Sequence, residues 1–233
     1  MIDMSQRVVR PEYMDRDDVR ADSLRQSLSF IRKVNRCLGG TRSVIAHLRR
    51  FSRDWSPGGR ITILDLATGS ADIPLAIVRW SRGVGHDVRV TALDRHPLTL
   101  DAAAEHVRGE PRVTLLRADA LRPPFEPGCF DYVVSSLFLH HLTNQQVEAT
   151  LGLMRRLACR GVIWNDLLRH RRAAWWCRLL TFASNGIVKH DAAASVRAGF
   201  RRNEVESLRD RLHLRHLRYR RHFGHRFTLA GEV

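Results

Sequence analysis

Residues 60–74 read RITILDLATGSADIP, and residues 88–94 read VRVTALD. In the first stretch a short apolar run, Ile61–Leu66, passes into the small residues Ala67-Thr68-Gly69-Ser70-Ala71 and then into Asp72-Ile73-Pro74. A run this short and this apolar fits a strand covered on both faces, which is the situation of strands in a parallel sheet. Small residues after the strand let the backbone approach a ligand, and the N–H groups of the helix behind them are free to bind one. Asp72 suits the N-cap of that helix, and Pro74 is tolerated in its first turn. Asp94 closes the second run, where a carboxylate at a strand tip can accept both hydroxyls of a ribose.

The strand–helix alternation continues on both sides. Helices are predicted from Asp72 to Trp80, after Pro97, and from the capping box Thr143–Gln146 to Leu157. Further strands are predicted at Val113–Leu116, Tyr132–Ser135 and Val162–Trp164. The tail reads as a helix near Asn203–Leu212 and two strands, Leu214–Tyr219 and Phe227–Ala230, joined around Gly224. Upstream, Leu24, Leu28, Ile31, Val34 and Leu38 recur at helical spacing up to the Gly39-Gly40 stop, and Thr41 can cap a second helix. The pattern predicts an α/β fold: a doubly wound, mostly parallel, Rossmann-like seven-stranded sheet with a C-terminal antiparallel hairpin. The divisions are an N-terminal helical cap (1–59), a Rossmann-like core (60–166), an insertion (167–200) and a closing section (201–233), all in one domain.

Composition narrows the classes. The chain has 233 residues, 44% of them hydrophobic, enough for a core without metal or disulfide staples. No stretch approaches the ~20 apolar residues of a membrane span; Ala173–Leu180 is interrupted by Arg178. The N-terminal MIDMSQRVVRPEYMDRDD lacks the apolar centre of a signal peptide, so a cytoplasmic location is expected. Cys37, Cys129, Cys159 and Cys177 form no CxxC pair and no metal-ligand spacing, and read as reduced core thiols with no bound metal. The net charge is +15, and residues 151–233 carry 18 basic against 6 acidic groups. A basic end suits nucleic acid, an anionic membrane surface or an acidic substrate.

In such a sheet ligands bind beyond the carboxyl ends of the strands. After the third strand stands Asp119-Ala120-Leu121; after the fourth, Ser135-Ser136-Leu137-Phe138-Leu139-His140-His141. With the Gly69 turn and Asp94, these features resemble the class I S-adenosylmethionine-dependent methyltransferases over roughly residues 60 to 165. The likeness is greatest to the ubiquinone/menaquinone-biosynthesis type, through Gly69–Pro74 and the block Pro123–Asp131. The resemblance implies S-adenosylmethionine as cofactor, with Asp65 and Gly69 at its methionine end, Asp94 at the ribose, and Asp119 with Ala120 at the adenine. Ala67, Thr68, Ala71, Arg95 and Ser135 complete the implied set. The family's turn has three glycines on alternate positions, and Ala67 and Ala71 replace the first and third. If those positions need positive φ, each alanine costs roughly 1 kcal/mol.

Other chemistries fit less well. G-x-G-x-x-G is absent, and a Tyr-x-x-x-Lys pair is impossible with lysines only at 33 and 189. Nor does Ser135–Phe138 look like the Asn/Asp-Pro-Pro-Tyr motif of amino-group methylases. His141 or His140, beyond the fourth strand, is the candidate base, since imidazole titrates near neutral pH. Asn165, beside Asp166, faces the same edge. By the resemblance the insertion forms a lid over the acceptor, with Trp175, Trp176, His190 and Arg197 as candidate substrate contacts. Residues 36–40 and 190–197 are similar to bacterial methyltransferases associated with polyketide-derived phenolic lipids. The expected function is methyl transfer to an oxygen, with carbon as second choice, of a hydrophobic, aromatic or polyketide-like small molecule. The basic insertion and C-terminus suit contact with an anionic membrane. An RNA methyltransferase is the first alternative, though no appended RNA-binding module accompanies the charge; a cofactor-free scaffold with a degraded turn is the second.

Overall fold

Consecutive residues of the central strands enter opposite cores. Ile63 packs with Tyr132, Val134 and Ile163 on one face of the sheet, and Leu64 with Val133 and Trp164 on the other. All of these side chains are fully buried, or within 1% of it, and burial of each large apolar side chain contributes about 1.5–3 kcal/mol. The computed structural model describes residues 4–16 and 18–232. Met1–Asp3 and Asp17 of the N-terminal stretch discussed above, with Val233, lie outside that range.

The parallel strands are β1 (Arg60–Leu66), β2 (Asp87–Asp94), β3 (Val113–Arg117), β4 (Phe130–Ser136) and β5 (Ala158–Leu167). β6 (Arg218–His222) and β7 (Arg226–Glu232) add an antiparallel hairpin beside β5. Among the described residues this is one seven-stranded sheet in the order β3-β2-β1-β4-β5-β7-β6. The order reverses between β1 and β4, the switch point at which α/β sheets bind ligands. Helices α2 (Gly40–Phe51) and α3 (Asp72–Gly83) supply one core, and α5 (Asn144–Leu157) and α8 (Arg202–Arg211) the other. α4 (Pro97–His106) packs on β2 and β3 and contacts α1 (Ala21–Cys37), while α6 (Arg171–Leu180) and α7 (Gly186–Ala198) pair with each other in the 167–200 segment.

Several local expectations are corrected. The α2 N-cap is Gly39, at φ +83°, and not Thr41, because the left-handed residue that ends α1 also starts the next helix. The α3 N-cap is Ala71 at φ +54°, which moves Asp72 one position into the helix. The strand expected at Leu214–Tyr219 starts only at Arg218. Leu214 and Leu217 are both buried three residues apart, joined by a Leu217 N–H to Leu214 carbonyl turn of 2.9 Å, and that spacing suits a turn and not a strand. Three of the cysteines are not core thiols: Cys37, Cys129 and Cys159 are exposed because each falls at or beside an element end, whereas Cys177 is half-buried on the cavity side of α6.

The turn after β1 answers the glycine question. Ala67, Gly69 and Ala71 all have left-handed backbones, with φ of 55°, 58° and 54°. Two alanines are therefore held where glycine is favoured by about 1 kcal/mol. Ala71 is also fully buried in a core, so its methyl has packing to offset that cost, whereas Ala67 is only half-buried. Replacing Ala67 by Gly is expected to raise Tm by about 2–4 °C. A lowered Tm in thermal melts would show that its methyl contributes more than the strain removes.

Candidate active site

The carboxyl ends of β1, β2, β4 and β5 converge on one edge. Asp65, near the end of β1, is buried; its Oδ2 accepts the Thr68 hydroxyl at 2.6 Å, and its Oδ1 has no partner among the described residues. Burial pushes its carboxyl up to about 7, against the Thr68 hydrogen bond. Asp94 ties the left-handed turn to β2: Oδ2 accepts the Gly69 N–H and Oδ1 the His96 N–H, both at 3.0 Å. Each oxygen keeps a second lone pair for an incoming hydroxyl. Thr68 donates its N–H to the Leu93 carbonyl at 2.9 Å. Ser135 is buried and donates to the Leu66 carbonyl at 3.3 Å. Asp119 is exposed and accepts the Leu121 N–H, Ala120 beside it is buried, and Arg95 points outward and donates to the Asp15 carbonyl at 3.3 Å.

Sequence reading missed Arg226. It lies on β7 opposite Leu167, fully buried, and none of its three guanidinium nitrogens has a hydrogen-bond partner among the described residues. Burial lowers its pKa to about 10, opposed by Asp166 and Asp72 nearby. An unpaired buried guanidinium costs several kcal/mol, so the site is built for an anion. Gly40 makes room for it: a Cβ there would stand 2.9 Å from Arg226 Nη1 and 2.6 Å from Asn35 Oδ1, itself unpartnered. One arginine among thirty-seven carries no signal in the sequence, since only the fold shows which of them is buried.

The second cluster forms at the 3-10 turn Leu139–His141. His140 is buried, with Nδ1 2.7 Å from Asp166 Oδ1. Asp166, at the end of β5, also accepts N–H groups from Trp164 Nε1 at 3.1 Å and from Leu167 at 2.8 Å. Burial alone would raise the Asp166 carboxyl, but His140 outweighs it and the pKa is lowered. His141 Nδ1 pairs with Asp15 Oδ2 at 2.8 Å. Burial would lower its pKa, yet Glu12 and Asp15 together push it up to about 10. Glu12 itself is raised by burial; its Oε1 stands 3.8 Å from His140 Nε2 and 3.9 Å from His141 Nδ1, and accepts the Ser195 hydroxyl. Glu12 and Asp15 were not anticipated, being remote in sequence from the strand ends, whereas Ser195 belongs to the polar 190–197 stretch. One atom each of Glu12, His140 and His141 lie within 4.8 Å of one another, a spacing open to a cation. With Glu12 held by Ser195 and His141 by Asp15, we read the cluster as a proton-holding network.

This network lies in the wall of a cavity of about 460 Å³. Its apolar side is built by α1 through Phe30, Ile31 and Val34, and by α6 and α7 through Trp176, Leu180 and Val188. Of the expected substrate contacts, Trp176 lines the cavity. Trp175 lies on the outer face of α6, 60% exposed. His190 packs edge-on to Tyr13 at 4.7 Å and pairs with Asp191, outside the lining. Arg197, in the last turn of α7, is half-buried outside the lining, and Asn165 is buried at the β5 end, donating to Ser136 Oγ at 2.8 Å. Helix periodicity explains these corrections: on α6 and α7 one residue in three or four faces inward.

Residues 63–161 match the sequence model of a methyltransferase domain. Over 99 residues the chain is 28% identical to demethylmenaquinone methyltransferase of Staphylococcus aureus. The match spans 42% of this chain and 40% of that protein. Among solved structures the chain is similar to the plantazolicin methyltransferase BamL in complex with a triazolic desmethylPZN analog and SAH. That likeness has 13% identity and a TM-score of 0.62 over 83% of this chain and 70% of the other. It is also similar to an O-methyltransferase family 2 protein from Planctomyces limnophilus in complex with apigenin, at 20% identity and a TM-score of 0.58 over 94% and 62%. Over residues 63–161 the chain is thus similar to a methyltransferase domain, and its fold is that of S-adenosylmethionine-dependent methyltransferases.

The site has buried groups that suit S-adenosylmethionine. The methionine end carries an ammonium and a carboxylate, and it needs a buried acceptor and a buried cation. Asp65 Oδ1 and the Arg226 guanidinium are unpartnered groups of those two kinds.

The raised pKa of His141 links pH to stability. Its ordinary value is near 6.5 and its folded value about 10, so the stability it contributes is complete below pH 6.5 and is lost as pH rises through 10. Thermal melts of the wild type are expected to decline over that window and those of His141→Gln to decline less; superimposable profiles would refute the pairing with Glu12 and Asp15.

Proposed function

We propose that the protein transfers the methyl group of S-adenosylmethionine to an oxygen of a hydrophobic, aromatic or polyketide-like small molecule in the cytoplasm. The observation that carries this reading is the pairing of an apolar cavity with a buried histidine in its wall, His140, backed by Asp166. When bound, the cofactor supplies a methyl carbon activated by a sulfonium. His140 takes the proton of the acceptor hydroxyl at Nε2, which is the ring nitrogen left open when Nδ1–H faces Asp166. Asp166 holds that tautomer and stabilises the imidazolium that forms, while the charged His141 favours the developing oxyanion. α1, α6 and α7 exclude water and align the acceptor, which supplies much of the rate in an in-line displacement. Asp65 and Arg226 hold the methionine end, Asp94 the ribose, and Asp119 with Ala120 the adenine. Four free thiols, three of them exposed, suit the reducing cytoplasm. An apolar lining favours such an acceptor over an RNA strand.

Incubation with the cofactor and a panel of phenolic acceptors is expected to yield a methyl ether, identified by mass spectrometry; a C-methylated product or methylated RNA would overturn the acceptor assignment. His140→Ala should lower kcat by roughly 10²–10⁴-fold with cofactor affinity unchanged, and full activity would remove it as the base. Calorimetric titration with S-adenosylhomocysteine is expected to show binding weakened at least about tenfold by Arg226→Met, as for loss of a charged hydrogen bond. Tm should hold or rise in that variant, because the unpaired buried charge is gone. Unchanged affinity would displace Arg226 from the cofactor site.

A further inference from the structure

The outer side of the acceptor cavity carries side chains that a folded surface usually hides. Of the nine large apolar residues exposed among the described ones, six cluster here: Trp175, Trp176, Leu179 and Leu180 of α6, Phe182 just after it, and Phe223 of the β6–β7 turn. Phe182 and Phe223 are 79% and 77% exposed, and Ala173 is the one fully buried residue of α6. Trp176, Leu180 and Phe223 also line the cavity, so the outer apolar patch continues into its interior. A patch of this kind marks a contact with a partner or a membrane.

A second observation identifies the partner. Beside the patch lies another pocket, of about 430 Å³, lined by Ala46, His47, Arg50, Arg53, Arg220 and His222, with no carboxylate in its wall. His222 lines both pockets. Arg50, Arg53 and Arg220 make no ion pair among the described residues, and neither do the exposed Arg171, Arg172 and Arg178 of α6. Arginines without ion pairs and exposed aromatic and aliphatic side chains thus border two pockets that share His222. This is the composition of interfacial helices, which bury an apolar face at the headgroup boundary and hold basic residues over anionic headgroups.

We propose that this face docks on a bilayer containing anionic phospholipids. α6, Phe182 and Phe223 enter the headgroup–acyl boundary, a lipid phosphate occupies the basic pocket, and the cavity mouth opens onto the layer in which a hydrophobic acceptor dissolves. An RNA strand would satisfy the arginines and leave six apolar side chains in water. The docking does not depend on the methyl-transfer reading, since it is measured without cofactor or acceptor.

The test is co-sedimentation with phosphatidylcholine vesicles, with and without phosphatidylglycerol, together with tryptophan emission spectra. Binding is expected only to the vesicles containing phosphatidylglycerol, with a blue shift in emission. Trp175→Ser/Phe182→Ser/Phe223→Ser and, separately, Arg50→Glu/Arg53→Glu/Arg220→Glu should each weaken it by roughly tenfold or more. All six side chains are exposed, so unchanged melting curves are expected, and the single Phe182→Ser variant reports on the apolar contact if a triple variant unfolds. Equal binding by the variants, equal binding to both vesicle types, or tighter binding of single-stranded RNA than of the anionic vesicles would overturn the proposal.

Discussion

Asp65 pairs in register with Val134, Leu66 with Ser135, and Ser136 with Asn165. This parallel register is the constraint on which the site depends. Parallel strands deliver all their carboxyl ends to one edge, so Asp65, Asp94, Ser136 and the Asn165-Asp166 pair reach that edge from four strands far apart in sequence. A slip of one residue would turn Asp65 and Asp166 to the opposite faces and place leucines in the site. Full burial of the alternate positions prevents it. Ile63 and Leu64 fill different cores, and a slipped strand would exchange both at a cost of several kcal/mol.

On this frame the protein carries an unusual amount of buried charge. Asp166 is compensated within the chain, by His140, Trp164 and the Leu167 N–H. Asp65 is half-compensated, with one oxygen on Thr68 and one open. The Arg226 guanidinium has no hydrogen-bond partner among the described residues. The contrast separates two jobs. A group whose partners are internal holds a fixed protonation state, whereas a buried group left open stores binding energy for a ligand of opposite charge. The left-handed backbones at Ala67 and Ala71 are a second store of energy beside them, at the turn we propose for the cofactor.

The proposed acceptor side follows a different logic from the proposed cofactor side. The cofactor side is built from strand ends and one turn, so its parts are neighbours in the pattern of the sheet. The acceptor side assembles Glu12 and Asp15 from the N-terminal segment, Phe30, Ile31 and Val34 from α1, Trp176 from α6 and Ser195 from α7 around a pair of histidines. Its outward face leaves α6 apolar on both sides, inward toward the cavity and outward toward solvent.

Local pattern determined the strands and helices of the core and the parallel sheet. Those follow from apolar periodicity and from turn residues, which act over a few positions. The same pattern placed Asp65, Gly69, Asp94 and His140 at the ligand edge, because a residue just past a strand needs no tertiary information to be located. The left-handed state of Ala67 and Ala71 was foreseen only as a question. Tertiary structure alone decided which arginine is buried unpaired, which carboxylates face the two histidines, and which tryptophan of an adjacent pair lines the cavity. Burial and pairing are set by contacts between segments more than a hundred residues apart, as Glu12 with His140 and Gly40 with Arg226 show, and no periodicity within either segment encodes them.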